Sequence, residues 1–284
     1  MVVRLGEDPP APESPPSEPK EADALPRAVR SRLTEFPCCY HITQRCQERR
    51  YPFQGRETRR RYLVRLHEMA RSHPVSVLGY MVTSNHIHLL MWSVRPADVS
   101  EGMRFLAGVT AQDYNRANRR EGSVWSGRYH STLVESGQHF CRCLFYIEMN
   151  MVRARAVTHP PQWLGSACKE HMGLRQRYRV IDMDALCRCL ACGPSDGFRS
   201  WYAATIEDLC RQAPGSRERF WSESAAVGSR EWITSLAGRL PESHRRVVPA
   251  VSERDDGPWC MRVGAHLRRG LGGLLDRTLP PESE

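Results

Sequence analysis

Lysine is nearly missing from this chain: of 41 basic residues, only Lys20 and Lys169 are lysines. A preference for bidentate phosphate contacts would not also empty the solvent-facing positions of lysine, so coding composition explains the bias better than binding does. Long apolar runs are missing too. No stretch approaches the roughly 18–20 uninterrupted apolar residues of a membrane span, and the N-terminus has no apolar signal core, so membrane and exported readings drop out and a cytosolic protein is expected. There is no internal repeat. Cys187, Cys189 and Cys192 have half the spacing of a zinc site, but no second Cys/His pair follows and their register suits a helix; they read as buried structural thiols. The odd total of 11 cysteines in a chain of 284 residues fits reduced thiols rather than a disulfide framework.

The positive charge is unevenly placed. Residues 1–24 carry a net −4, residues 25–175 a net +12 and residues 176–284 a net +1, within an overall +9. One block therefore holds the whole basic excess, as in a domain that meets a polyanion, although a solvated basic surface has the same composition. The length suits one main domain with an appendage.

Residues 1–26 hold seven of the 20 prolines among acidic and small residues and read as a disordered acidic tail. From residue 30 to 175 the periodicity alternates. A strand is expected at 38–46, an amphipathic helix at 56–72 with Tyr62, Leu63, Leu66, Met69 and Ala70 on one face, and two strands at 75–83 and 86–92 joined by a tight turn at Ser84-Asn85. A helix over 97–118, a strand over 127–135 and a helix over 138–154 follow. This order predicts an α+β fold, a ferredoxin-like αβ sandwich with an antiparallel sheet. Residues 176–284 read as a small helical C-terminal extension, with helices expected at 182–192, 197–211, 229–240 and 258–271.

The segment Asn85-His86-Ile87-His88-Leu89-Leu90 bears most directly on chemistry. Side chains two apart on a strand share a face, so His86 and His88 project together, an arrangement suited to one divalent ion. Taken alone, such a pair on a strand is more often incidental. On the helix over 138–154, Phe140, Leu144, Ile147 and Met151 form an apolar stripe, and His139, Arg142, Tyr146, Asn150 and Arg153 a polar one. Tyr146 and Asn150 stand one turn apart, able to meet one point in space, or else to lie at a core margin with the amide bonded to its own helix.

Four pieces in order, Tyr40-His41-Ile42-Thr43-Gln44-Arg45, Asn85 to Leu90, Trp125-Ser126-Gly127-Arg128-Tyr129-His130-Ser131 and Tyr146-Ile147-Glu148-Met149-Asn150-Met151-Val152-Arg153-Ala154, resemble the single-tyrosine HUH transposases and, within them, the REP-associated tyrosine transposases. The resemblance spans about residues 38–165. It implies that His86 and His88 are the metal-binding pair, that Tyr146 is the nucleophile, that Asn150 is a third, amide-type ligand, and that the metal is Mg2+ or Mn2+. The chain departs from the family pattern at Met151 and Ser84, where proline is usual, and at Cys46-Gln47-Glu48, where Gly-Asn-Asn is common.

The resemblance further implies cleavage and rejoining of single-stranded or hairpin DNA through a 5′-phosphotyrosine, by a monomer or homodimer in a bacterial-type cytosol, associated with the nucleoid and not with membrane. Arg45, Arg128, His130, Arg142 and Arg153 are the candidate DNA contacts, with Arg59, Arg60 and Arg61 as a further basic run whose bland reading is solvated surface. Trp125 and Tyr129 suit either base stacking or the core. The competing expectation is a transposase-derived protein that holds such DNA without cutting it. A small hydrolase would need an acidic base beside the histidines; Glu148 is near in sequence but on another helical face from Tyr146.

Overall fold

The computed structural model describes residues 37–47, 51–175, 177–191, 195–212, 215–240, 245–250 and 257–263. The acidic tail over 1–26, Cys192 and the last part of the helix expected at 258–271 lie outside them. The order opens with β1 (Cys38–Arg45), α1 (Arg56–Ser72), β2 (Ser76–Val82), β3 (His86–Ser93), α2 (Pro96–Ala117), β4 (His130–Val134) and α3 (Gln138–Glu148). These four strands lie in the order β2-β3-β1-β4 with every pair antiparallel. That is the ferredoxin-like arrangement expected from the sequence, and the fold is α+β.

Strand alternation splits the interior into two layers. Ile42, Ile87, Leu89 and Met91 face one way, into a core completed by Tyr62, Leu63, Leu66 and Met69 of α1 and by Val99, Met103 and Leu106 of α2. Cys39, Leu78, Met81 and Leu90 face the other way, against Phe140, Leu144 and Ile147 of α3. Burying each such aliphatic side chain stabilises the fold by about 1.5–3 kcal/mol, so both helical layers are firmly tied to the sheet. His41, His86 and His88 share the phase of Leu90 and therefore look toward α3.

Two local features place the site. Thr83 tightens the β2–β3 turn: its Oγ1 accepts from the His86 amide at 3.1 Å and donates to the His86 carbonyl oxygen at 2.8 Å. This fixes where β3 begins. The helix expected to run unbroken over 138–154 stops at Glu148. Met149, at φ −78° and ψ 3°, interrupts it before the short α4 (Asn150–Arg153).

The C-terminal extension is mixed rather than helical throughout. After α5 (Cys168–His171) come α6 (Met183–Leu190), α7 (Ser195–Arg211), α8 (Phe220–Glu223), β5 (Ala226–Gly228), α9 (Arg230–Ala237), β6 (Arg245–Pro249) and β7 (Trp259–Val263). Its strands lengthen the sheet to β2-β3-β1-β4-β5-β7-β6, with β5 parallel to β4. The helix expected from residue 258 is a strand over Trp259–Val263, because Cys260 and Met261 bury toward opposite faces of the sheet while pairing with Val227 and Ala226. Gly228 lets the junction close: a Cβ there would sit 2.5 Å from the Trp232 ring and 2.8 Å from Glu135 Oε2. The ten described cysteines are free. Cys189 is buried on α6 with its sulfur 3.3 Å from Cys39, which agrees with structural thiols.

Candidate active site

Each histidine of the pair has its Nδ1 occupied, and the nature of the partner fixes what Nε2 can do. His86 Nδ1 lies 2.8 Å from Asn85 Oδ1 and 3.0 Å from Thr83 Oγ1. An amide oxygen only accepts, so Nδ1 carries the proton and Nε2 keeps its lone pair. His88 Nδ1 lies 2.9 Å from His41 Nε2, and His88 Nε2 lies 3.3 Å from Asn150 Nδ2. The two imidazoles stand 5.0 Å apart, centroid to centroid, at 75°. Burial, and then the charges of Arg45 and Arg217, push His86 down to about 4; burial, and then His86, His41, Arg153 and Arg45, hold His88 well below the usual histidine range. Both rings are therefore neutral near pH 7, the state a metal ligand needs.

Tyr146 sits near the end of α3 and Asn150 begins α4, so the break at Met149 lies between them. Tyr146 is 8% exposed. The Arg153 guanidinium covers it at 4.1 Å from the ring centroid, while Arg153 Nη2 donates to the Tyr146 carbonyl oxygen at 2.7 Å; the Trp221 ring lies 6.1 Å away on another side. Burial raises the phenol's pKa, and the positive charges of Arg153 and Arg217 oppose that rise. A phenol so placed is a weak nucleophile by itself and depends on an electrophile made more reactive.

The remaining expected residues are distributed less evenly. Arg45 ends β1 opposite His86 in register and is exposed. Arg142 is ion-paired to Glu218 at 2.8 Å, which ties α3 to the extension. His130 Nε2 lies 3.0 Å from the Ser224 carbonyl oxygen, and Arg128 is exposed just ahead of β4. The basic run on α1 does other work: Arg59 is buried, donating to the Phe53 and Gln54 carbonyl oxygens and stacking on Trp163, while Arg60 and Arg61 both pair with Glu57. Trp125 belongs to the core and donates to the Ala107 carbonyl oxygen, and the Tyr129 hydroxyl bonds Ser100. Glu148 is buried against His171 at 2.9 Å and Ser166 at 2.7 Å, so it is not an acidic base for the histidine pair.

Three contributors escaped the sequence reading. His41 was part of a quoted motif but had no assigned partner. Arg217 acts on both His86 and Tyr146, and Trp221 supplies a main-chain carbonyl that no sequence pattern marks.

Two neutral imidazoles with Nε2 lone pairs and one side-chain amide form a donor set that fits a single divalent ion. Asn150 presents its nitrogen to His88, and its oxygen lies on the same planar amide. No group of three or more His, Cys, Asp or Glu ligands is found among the described residues. No helix among the described residues is long and apolar enough to cross a membrane.

Residues 34–150 match the family model of IS200-like transposases, a stretch that runs from just before β1 to Asn150 and includes His86, His88 and Tyr146. Curated proteins yield no match. Among solved structures, that of a REP-associated tyrosine transposase bound to a REP hairpin is similar at 17% identity, over 49% of this chain and 82% of that one, with a TM-score of 0.40. The histidine pair and the helix tyrosine both lie inside the region, residues 34–150, that is similar to IS200-like transposases.

Proposed function

We propose that the chain is a metal-dependent strand transferase that cleaves and rejoins single-stranded or hairpin DNA with Tyr146 as nucleophile, and that residues 30–175 form its catalytic unit. The observation that carries this reading is the contact between Asn150, on the segment that follows Tyr146, and His88 Nε2 at 3.3 Å, which brings the helix end and the strand pair to one place. His86, His88 and Asn150 would hold Mg2+ or Mn2+; two imidazoles and one amide lean toward Mn2+, since Mg2+ prefers an all-oxygen shell. When bound, the ion supplies charge neutralisation at the scissile phosphate.

The chain's own groups do the rest. The Tyr146 oxygen forms a bond to phosphorus as the bond from phosphorus to the 3′ oxygen breaks; the phenol proton leaves and the 3′ oxygen takes one up. A 5′-phosphotyrosine and a free 3′-OH result, and attack by another 3′-OH reverses the step. Arg153 and Arg217 favour the phenolate and the approach of a phosphate. Arg45 and Arg128, exposed at neighbouring strand ends, are suited to backbone phosphates.

One observation favours the runner-up, a binder that does not cut: Tyr146 is 8% exposed beneath Arg153 and near Trp221, so a phosphate must displace part of that cover. Incubating the protein with a labelled single-stranded hairpin library and Mn2+, followed by denaturing separation, decides between them. Covalent adducts that vanish in Tyr146→Phe support the transferase; tight binding with no adduct supports the binder.

A further inference from the structure

We infer that His41 is a positioning residue for the metal site, holding His88 in the tautomer that presents Nε2, and that it is itself anchored by the main-chain carbonyl of Trp221 in the C-terminal extension. This deepens the transferase reading and rests on it for the identity of the metal ligands. Trp221 lies outside the region that matches the transposase family.

The direction of each hydrogen bond follows from its far end. The Trp221 carbonyl oxygen, 2.8 Å from His41 Nδ1, can only accept, so His41 Nδ1 bears a proton. His41 is fully buried, and no carboxylate contacts it among the described residues, so a cationic ring would be an uncompensated buried charge. The neutral ring then has its lone pair on Nε2. That lone pair lies 2.9 Å from His88 Nδ1, which must be the donor. The ring planes differ by 12° with centroids 5.1 Å apart, a geometry in which the two ring nitrogens can meet edge to edge. His88 is left with its Nε2 lone pair pointing toward Asn150. Hydrogen bonding to the far nitrogen of a ligating histidine in this way fixes ring and tautomer and commonly affects metal affinity 10- to 100-fold.

The anchor is itself firmly held. Thr132 Oγ1 donates to the Trp221 and Ser224 carbonyl oxygens at 3.1 and 2.7 Å, the Trp221 indole donates to Glu218 Oε2 at 2.7 Å, and the Trp221 ring is fully buried. The extension therefore braces His41 and, through it, His88.

Two measurements on the full chain test this. In metal-free protein labelled with 15N-histidine, His41 and His88 should both carry their proton on Nδ1 at neutral pH; an Nε2-protonated His88 or a cationic His41 would overturn the inference. Free Mn2+ counted by electron paramagnetic resonance should show binding roughly 10- to 100-fold weaker in His41→Leu. Binding should be largely restored in His41→Gln, whose amide oxygen offers an acceptor, and unchanged in Tyr202→Phe, a buried control whose hydroxyl lies beside His171 and not beside a proposed ligand. Parent-level Mn2+ affinity in a folded His41→Leu also overturns it. A parent that binds no Mn2+ instead strikes the transferase reading, and the tautomer measurement still decides the role of His41; it decides equally if His41→Leu does not fold.

Discussion

Arg153 folds back over Tyr146 across the break between α3 and α4, with its guanidinium 4.1 Å from the ring centroid and its Nη2 bonded to the tyrosine's own carbonyl oxygen at 2.7 Å. One side chain therefore closes the interrupted helix and sets a positive charge beside the phenol. Arg153→Ala should slow adduct formation by roughly 10- to 100-fold, taking about 1.5–3 kcal/mol for a charge-assisted interaction. Its effect on DNA affinity should be smaller. Single-turnover cleavage at saturating DNA checks this, and an unchanged rate would remove Arg153 from the reaction.

The charges on α1 and at the end of β1 should behave differently toward DNA. Arg60 and Arg61 are both committed to Glu57, whereas Arg45 stands at the exposed end of β1 opposite His86. For single strands, log affinity falls with log salt by about 0.7 per neutralised phosphate. Arg45→Gln should therefore flatten the slope by about 0.7, while Arg60→Gln and Arg61→Gln leave it unchanged. Fluorescence anisotropy between about 50 and 300 mM salt reads the slopes. The opposite ranking would place the DNA on α1.

The buried imidazoles make the metal-free protein sensitive to acid. His86 is pushed from 6.5 down to about 4 and His41 down to about 3, chiefly by burial in both cases. Between these values and 6.5 the unfolded chain binds more protons than the folded one, so acid favours unfolding. Stability should be fully present above about pH 6.5 and fall as pH drops toward 4 and then 3, with both contributions exhausted below. Urea unfolding at pH 7 and pH 5 should give a lower midpoint at pH 5; equal midpoints would mean the rings are not held neutral.

Glu148 gives a stability prediction separable from function. Glu148→Leu strips the acceptor from His171 and from Ser166, both buried. Unpaired buried groups cost about 1–3 kcal/mol each, so a loss of about 3 kcal/mol and a Tm lower by roughly 6–12 °C are expected. Mn2+ affinity should stay at the parent level, because Glu148 touches none of the three proposed ligands. A loss of metal binding without a loss of stability would restore Glu148 to the site.

Much of this was legible in the sequence where periodicity is long. The Tyr62–Leu66–Met69 face of α1, the alternation through His86–Leu90 and the Ser84-Asn85 turn each carry their own local signal. The break at Met149 carries none, since neither glycine nor proline marks it and Met151 continues the apolar stripe. Strands as short as Ala226–Gly228 are defined by pairing with β4 and β7 rather than by their own residues. His41 was visible as a residue but not as a partner, because His88 lies 47 positions away on the neighbouring strand and the anchoring group on Trp221 is main chain. Arg142 was legible as a basic residue on the polar face of its helix but not as the partner of Glu218, which comes from an extension whose packing no local pattern reveals.

The most direct test is to map the covalent product. After incubation with a hairpin carrying single-stranded flanks and Mn2+, intact-mass measurement and peptide sequencing should find a 5′-phosphorylated DNA fragment on the peptide containing Tyr146, and none in Tyr146→Phe. An adduct on another residue, with Tyr129 the first to examine, or tight hairpin binding with no adduct at all, would contradict Tyr146 as the nucleophile.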